Sequence, residues 1–116
     1  MSENKILSLT EYQKWTDETA IYPSAGKKNV EELMYCGLGI SSEAGEMANY
    51  IKKLYRDGDT PELRQLIRDE LGDILWYAAR TAEALDVSLE DVMIKNHEKL
   101  NSRKQRGVLT GSGDNR

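Results

Sequence analysis

Cysteine and histidine occur once each, and no apolar run approaches the length of a membrane span. The lone Cys36 excludes an intramolecular disulfide and fits a reducing cytosol. It has no basic partner nearby in sequence and reads as a small buried apolar residue. The neighbours of His97 suggest neither a catalytic triad nor a metal site, so it reads as a surface or interfacial residue. The opening Met-Ser-Glu-Asn-Lys lacks the apolar region of a signal peptide, which points to a cytoplasmic protein without membrane partners. Walker loop, Rossmann glycine pattern and Cys/His zinc spacing are all missing. A basic surface is missing too: 16 Lys and Arg against 20 Asp and Glu give a formal charge of −4, which argues against a nucleic-acid binder. A nucleotide substrate stays open, because bound metal reverses the local sign. The absence of Phe excludes nothing.

What the chain has is helix signals. With 116 residues it is long enough for one domain with a modest core. Ser8-Leu9-Thr10-Glu11 is a capping box that opens a helix to about Ala20, and Tyr22-Pro23-Ser24-Ala25-Gly26 breaks it. Asn29 caps a long second helix with the stripe Val30, Leu33, Met34, Ile40, Ala44, Met47, Ile51 and Leu54. Gly37 and Gly39 weaken its middle, each by about 1 kcal/mol relative to Ala, which predicts a kink or break there. Arg56-Asp57-Gly58-Asp59 is a turn. Thr60 with Pro61 starts a third helix to about Leu85, and Ser88 caps a fourth to about Arg106, closed by Gly107. The pattern predicts an all-α protein, a four- to five-helix bundle over residues 1–107 with a flexible tail at 108–116.

Two short acidic clusters carry the chemistry: Glu43-x-x-Glu46 and Glu70-x-x-Asp73. Residues three apart on a helix are neighbours, so each pair aims two carboxylates the same way. Such pairs are common on solvated faces, but Glu70 falls on an apolar stripe that includes Leu63, Leu66, Ile67, Ile74 and Ala78. An unpaired carboxylate there would carry a desolvation penalty of several kcal/mol. Antiparallel packing of helices two and three would bring all four acids together, and a divalent oxygen-loving cation is the obvious counter-charge. Gly45 and Gly72, inside the clusters, allow close helix approach or leave room for a ligand. On the last helix Asn96, Lys99 and Arg103 share one face, and such a face suits a polyphosphate opposite a metal cluster. A solvated helix end would use the same cations. Trp15 and Trp76 read as core residues or base-stacking platforms, Tyr50 as an edge of the site, and Lys52 and Lys53 as phosphate neighbours or a solvated helix end.

Taken in order, Glu43-x-x-Glu46, a spacer from residue 47 to 69, Glu70-x-x-Asp73 and Asn96-x-x-Lys99-x-x-x-Arg103 resemble the MazG-like branch of the all-α nucleoside triphosphate pyrophosphohydrolases. The resemblance runs from about Thr10 to the end, and the closing Gly-Ser-Gly-Asp-Asn-Arg is similar to short single-domain members, including phage-encoded ones. It implies a Mg²⁺-dependent (or Mn²⁺-supported) enzyme that cleaves the α–β phosphoanhydride of a nucleoside triphosphate into monophosphate and pyrophosphate. Glu43, Glu46, Glu70 and Asp73 would be metal ligands, and Lys99, Arg103 and Asn96 phosphate contacts. It further implies a homodimer or homotetramer, with helices of one subunit completing the site of another. Two other readings remain: a dUTPase or hydrolase of modified nucleotides on the same fold, and a metal-binding bundle without turnover.

Overall fold

A computed structural model describes Lys5 and residues 8–116. Among the described residues the chain is all-helical, without strands: α1 (Leu9–Trp15), a 3₁₀ turn (Thr16–Glu18), α2 (Val30–Asp57), α3 (Pro61–Ala84) and α4 (Leu89–Gln105). Each α-helix starts at a side-chain cap read from the sequence. Ser8, Asn29, Thr60 and Ser88 accept hydrogen bonds from the amides of Glu11, Glu32, Leu63 and Asp91.

Two expectations are corrected. The first α-helix ends at Trp15, because the Thr16 hydroxyl donates back to the Gln13 carbonyl (2.6 Å) and tightens the chain into the 3₁₀ turn. The second helix runs unbroken through Gly37 and Gly39. Gly39 lies against the Tyr77 ring of α3, so closely that a Cβ would collide with it. There the missing side chain sets the helix approach. Gly45 and Gly72 have no neighbour within 4 Å of an added Cβ and play no such part within the chain.

Helices α2 and α3 form a long antiparallel hairpin that packs along its length. Gly58, at φ +120°, turns the chain between them and donates its amide to the Leu54 carbonyl (3.1 Å). Helix α1 crosses the open end and touches α3 and α4, while α4 touches α1 and α3 but not α2. The radius of gyration, 17.0 Å, exceeds the about 13 Å of a compact chain this long. The stripe residues Val30, Met34, Ile51 and Leu66 accordingly stay exposed.

The buried centre is polar. Arg80 on α3 is 2 % exposed and Glu32 on α2 is fully buried. Arg80 donates from Nη1 to Asp17 Oδ1 (2.5 Å) and Thr16 Oγ1 (3.2 Å), and from Nε to the Tyr22 hydroxyl (3.2 Å). Its Nη2 lies 3.7 Å from Glu32 Oε2. Tyr22 donates to Glu32 Oε2 (2.6 Å), and the amides of Gly26 and Lys28 donate to the same carboxylate (2.9 Å each). Cys36, Ala79 and Ala82 complete this core, with Cys36 buried as its sequence context suggests. Gln13 adds a second tie: it donates to Glu83 Oε1 and the Val87 carbonyl (2.9 Å each) and accepts from the Leu89 amide (2.7 Å).

Burial pushes the Glu32 carboxyl up, but the Tyr22 hydroxyl, the two amides and the Arg80 charge outweigh it and hold the group below its ordinary 4.5. Below pH 4.5 the unfolded chain therefore takes up a proton that the folded chain refuses, so this contribution is full above 4.5 and is lost as pH falls through the folded value. Arg80→Ala leaves Glu32 buried without its counter-charge and should cost about 3–5 kcal/mol in denaturant unfolding. Glu32→Gln should flatten the loss of stability below pH 4.5.

The two helix glycines should respond oppositely to alanine. Gly37→Ala has open space around it and should gain up to about 1 kcal/mol of helix propensity. Gly39→Ala meets Tyr77 and should lose about 1–3 kcal/mol despite the same propensity gain. Chemical denaturation of both variants checks the pair.

Candidate functional site

The register of the α2–α3 hairpin brings three of the four sequence-predicted acids together. One ligand atom from each of Glu43, Glu46 and Glu70 lies within 4.8 Å of the other two. Glu46 is exposed, Glu43 half-buried and Glu70 buried at 9 % exposure. Oε2 of Glu70 is the one buried side-chain polar atom without a hydrogen-bond partner among the described residues. The Glu43 carboxyl, and then burial, push Glu70 above its ordinary value, and Glu70 in turn pushes Glu46 up. Like charges gathered on a partly dry wall have this effect.

The donor set fits a hard divalent cation. It is all oxygen, carries up to three charges, and leaves one buried acceptor orphaned. Oxygens around a small cation at about 2.1 Å stand roughly 3–4 Å apart, and the three ligand atoms here already lie within 4.8 Å of one another.

Asp73 lies outside the trio. It is exposed, one turn beyond Glu70, and its charge, second to burial, raises the Tyr12 hydroxyl on α1. Tyr12 stacks with Trp15 at 6.0 Å, so the fourth acid stands beside an aromatic pair contributed by α1. Trp76 is half-buried, meets Tyr77 edge-on at 5.0 Å and donates from Nε1 to Thr19 Oγ1 (2.8 Å). Tyr50 is half-buried and His97 is exposed. Of the lysines ending α2, Lys52 is exposed and Lys53 half-buried.

Among the described residues α4 makes no contact with α2, and no ion pair joins Lys99 or Arg103 to an acid of the cluster. Asn96 and Lys99 are exposed on α4, whereas Arg103 is buried and donates to the Asp114 carbonyl (2.7 Å). Tyr77 borders the cluster and was missed from sequence: burial raises its hydroxyl first, and the charge of Glu43 adds to it. The signal was its place seven residues after Glu70 on the same helix stripe. A cleft of about 300 Å³ between α1 and the α3–α4 link, lined by Gln13, Lys28, Glu83 and Asp86 among others, includes none of the trio.

Comparison with known proteins bears on the same helices. The family described as MazG nucleotide pyrophosphohydrolase domain matches residues 32–108, which include all seven sequence-predicted site residues. The Gene 37 protein of Mycobacterium phage L5 is 50% identical over 109 residues, covering 90% of this chain and 96% of that protein. The uncharacterized protein YvdC of Bacillus subtilis (strain 168) is 30% identical over 105 residues, covering 84% of this chain and 96% of its own. No solved structure matches.

A divalent cation should stabilise the folded chain through the trio. Near a hundredfold excess over its Kd the gain is about 2.7 kcal/mol, read as a rise in Tm. Glu70→Gln should abolish the rise and, in chelator, unfold no lower than the unsubstituted chain, because it relieves the repulsion with Glu43. A cation-induced rise that survives in Glu70→Gln would place the ion elsewhere.

Proposed function

The chain belongs to the MazG nucleotide pyrophosphohydrolase family, and from that premise we propose that it hydrolyses the α–β phosphoanhydride of a nucleoside triphosphate in the cytoplasm. Water adds to the α-phosphorus, the bond from that phosphorus to the bridging oxygen breaks, and the products are the monophosphate and pyrophosphate. The observation that carries the reading is the orphaned Oε2 of Glu70 facing Glu43 and Glu46 on a hairpin matched to this family. Divalent metal dependence is general in the family, and Mg²⁺ is the cation we assign here, with Mn²⁺ as a substitute.

Glu43, Glu46 and Glu70 would hold the ion, with Asp73 beside them as the fourth ligand. When bound, Mg²⁺ neutralises the triphosphate and lowers the pKa of a water at the α-phosphorus. A carboxylate of the cluster takes the proton of the attacking water. Lys99 and Arg103, with Asn96 beside them, meet the charge that develops on the leaving pyrophosphate.

Lys99 stands on a helix that does not touch α2, which supports the reading that α4 of a second copy completes the site. The exposed apolar residues of α2, α3 and α4, among them Met34, Leu38, Leu71, Val92 and Ile94, supply the surface for that pairing. The assembly in this reading is a homodimer or homotetramer.

Hydrolysis should need divalent metal and stop in excess chelator. Glu43→Gln, Glu46→Gln, Glu70→Gln and Asp73→Asn should each lower turnover at least about tenfold, ~1.4 kcal/mol of barrier. Lys99→Ala should keep the cation-induced Tm rise but weaken the triphosphate by about 1.5–3 kcal/mol. In ¹⁸O-labelled water the label should enter the monophosphate alone. Label in pyrophosphate, or wild-type rates in the folded acid variants, would remove the assignment.

A further inference from the structure

The segment that follows α4 is wound back onto the helix by arginines. Arg116 donates from Nε to the Val108 carbonyl (3.1 Å), from Nη1 to that of Gly113 (2.8 Å) and from Nη2 to that of Leu109 (3.0 Å). The segment thus closes around its own guanidinium. Arg106 Nη1 holds the main-chain oxygen of Arg116 (2.6 Å), and Arg103 Nη2 holds that of Asp114 (2.7 Å). Gly113 turns the chain at φ +89°, a conformation that an L side chain strains.

The consequence falls on Arg103. It shares its helix face with Asn96 and Lys99, which are exposed, yet it is only 5 % exposed itself. The main-chain oxygens gathered by Arg103 and Arg116 are formally neutral carbonyls. Among the described residues no acidic side chain pairs with Arg103, Arg106 or Arg116. A buried guanidinium satisfied by a neutral carbonyl forms a stronger, charge-assisted fork when a phosphate replaces that carbonyl. Lys99, one turn away and open to solvent, can take the first phosphate contact before Arg103 is free.

We propose that residues 108–116 form a strap over Arg103 that a polyphosphate displaces, Arg103 exchanging the Asp114 carbonyl for phosphate oxygens. The inference rests on the phosphate role given to Arg103 above, and adds that this role is withheld until the strap opens. A strap closed about nine-tenths of the time weakens apparent polyphosphate affinity about tenfold, because only the open fraction binds.

The test attaches a fluorophore at Ser112→Cys, which is exposed while Cys36 is fully buried, so one site is labelled. Inorganic tripolyphosphate with excess Mg²⁺ is the probe, and its binding is measured separately by calorimetry. Saturation should lower the anisotropy of the label. Arg116→Ala removes the three donors that close the segment, and Gly113→Ala strains its turn; neither touches Arg103. Both should start at low anisotropy and bind tripolyphosphate on the order of three- to tenfold more tightly. Unchanged anisotropy with tripolyphosphate added, or affinity in both variants no tighter than in the unsubstituted chain, overturns the strap. Turnover of nucleoside triphosphates is assayed in parallel. A strap that opens in a chain without turnover removes the hydrolase and keeps the strap; turnover with an unmoved strap does the reverse.

Discussion

The buried pairing of Arg80 with Glu32, bridged by the Tyr22 hydroxyl, is the constraint from which the rest of the fold is hung. It joins the end of α1, the loop before α2, the first turn of α2 and the last third of α3 in one polar knot. Ion pairs of this kind add little net stability over an apolar packing of the same volume, but losing one partner is costly. Their value lies in selecting one arrangement. Arg80 can satisfy Asp17, Thr16, Tyr22 and Glu32 together only in one axial register of α3 against α2. Gly39 under Tyr77 repeats that register one step nearer the turn, and Glu43 opposite Glu70 repeats it again. Each pair straddles the Gly58 turn almost symmetrically. The polar knot at one end therefore positions the carboxylates in the middle.

The locally encoded features were legible in the sequence. Four helix starts could be read because a cap and the amide that it binds lie three residues apart. Glu70 could be picked out because its neighbours at helical spacing are apolar, and it proves buried with an unpartnered oxygen. The polar knot could not be read: Glu32 and Arg80 lie far apart along the chain, and each looks like an ordinary solvated charge in its own helix. The Thr16 hydroxyl that ends α1 through Gln13 also accepts from Arg80, a partner far along the chain. Gly39 read as a weak point because propensity is local, whereas the ring that needs the space is Tyr77 on another helix. Among the seven candidate residues, those whose partner is the facing helix of the hairpin converge. Asp73 instead faces α1, and Arg103 faces the residues after its own helix.

Glu70 also shows what the hairpin gives up for its site. An apolar residue at its place would fill the stripe between Leu66 and Ile74, and its ionisation is opposed by Glu43 as well as by burial. A carboxylate kept in such a place destabilises the cation-free fold and binds a cation the more strongly for it, since the ion relieves repulsion and desolvation at once. The knot at the open end and the Thr60 cap at the turn hold the two helices against that repulsion.

The same logic separates anion from cation along the chain. If α4 lay in the hairpin groove, Lys99 would neutralise the trio directly and compete with a metal ion for it. Instead α4 leaves α3 at Asp86, a non-glycine residue at φ +59°, and does not touch α2. Lys28, also at positive φ, pins that corner by donating to the Glu83 carbonyl (2.8 Å) and pairing with Asp86 (3.3 Å). Two strained residues, each costing about 1–3 kcal/mol, persist because Gln13 and Lys28 tie α1, the loop and the α3–α4 link together. Their effect is to keep the cations apart from the acids within one chain. In the function proposed above, a triphosphate, negative along its whole length, would be the ligand that draws a metal-loaded cluster and a cationic helix face onto one molecule.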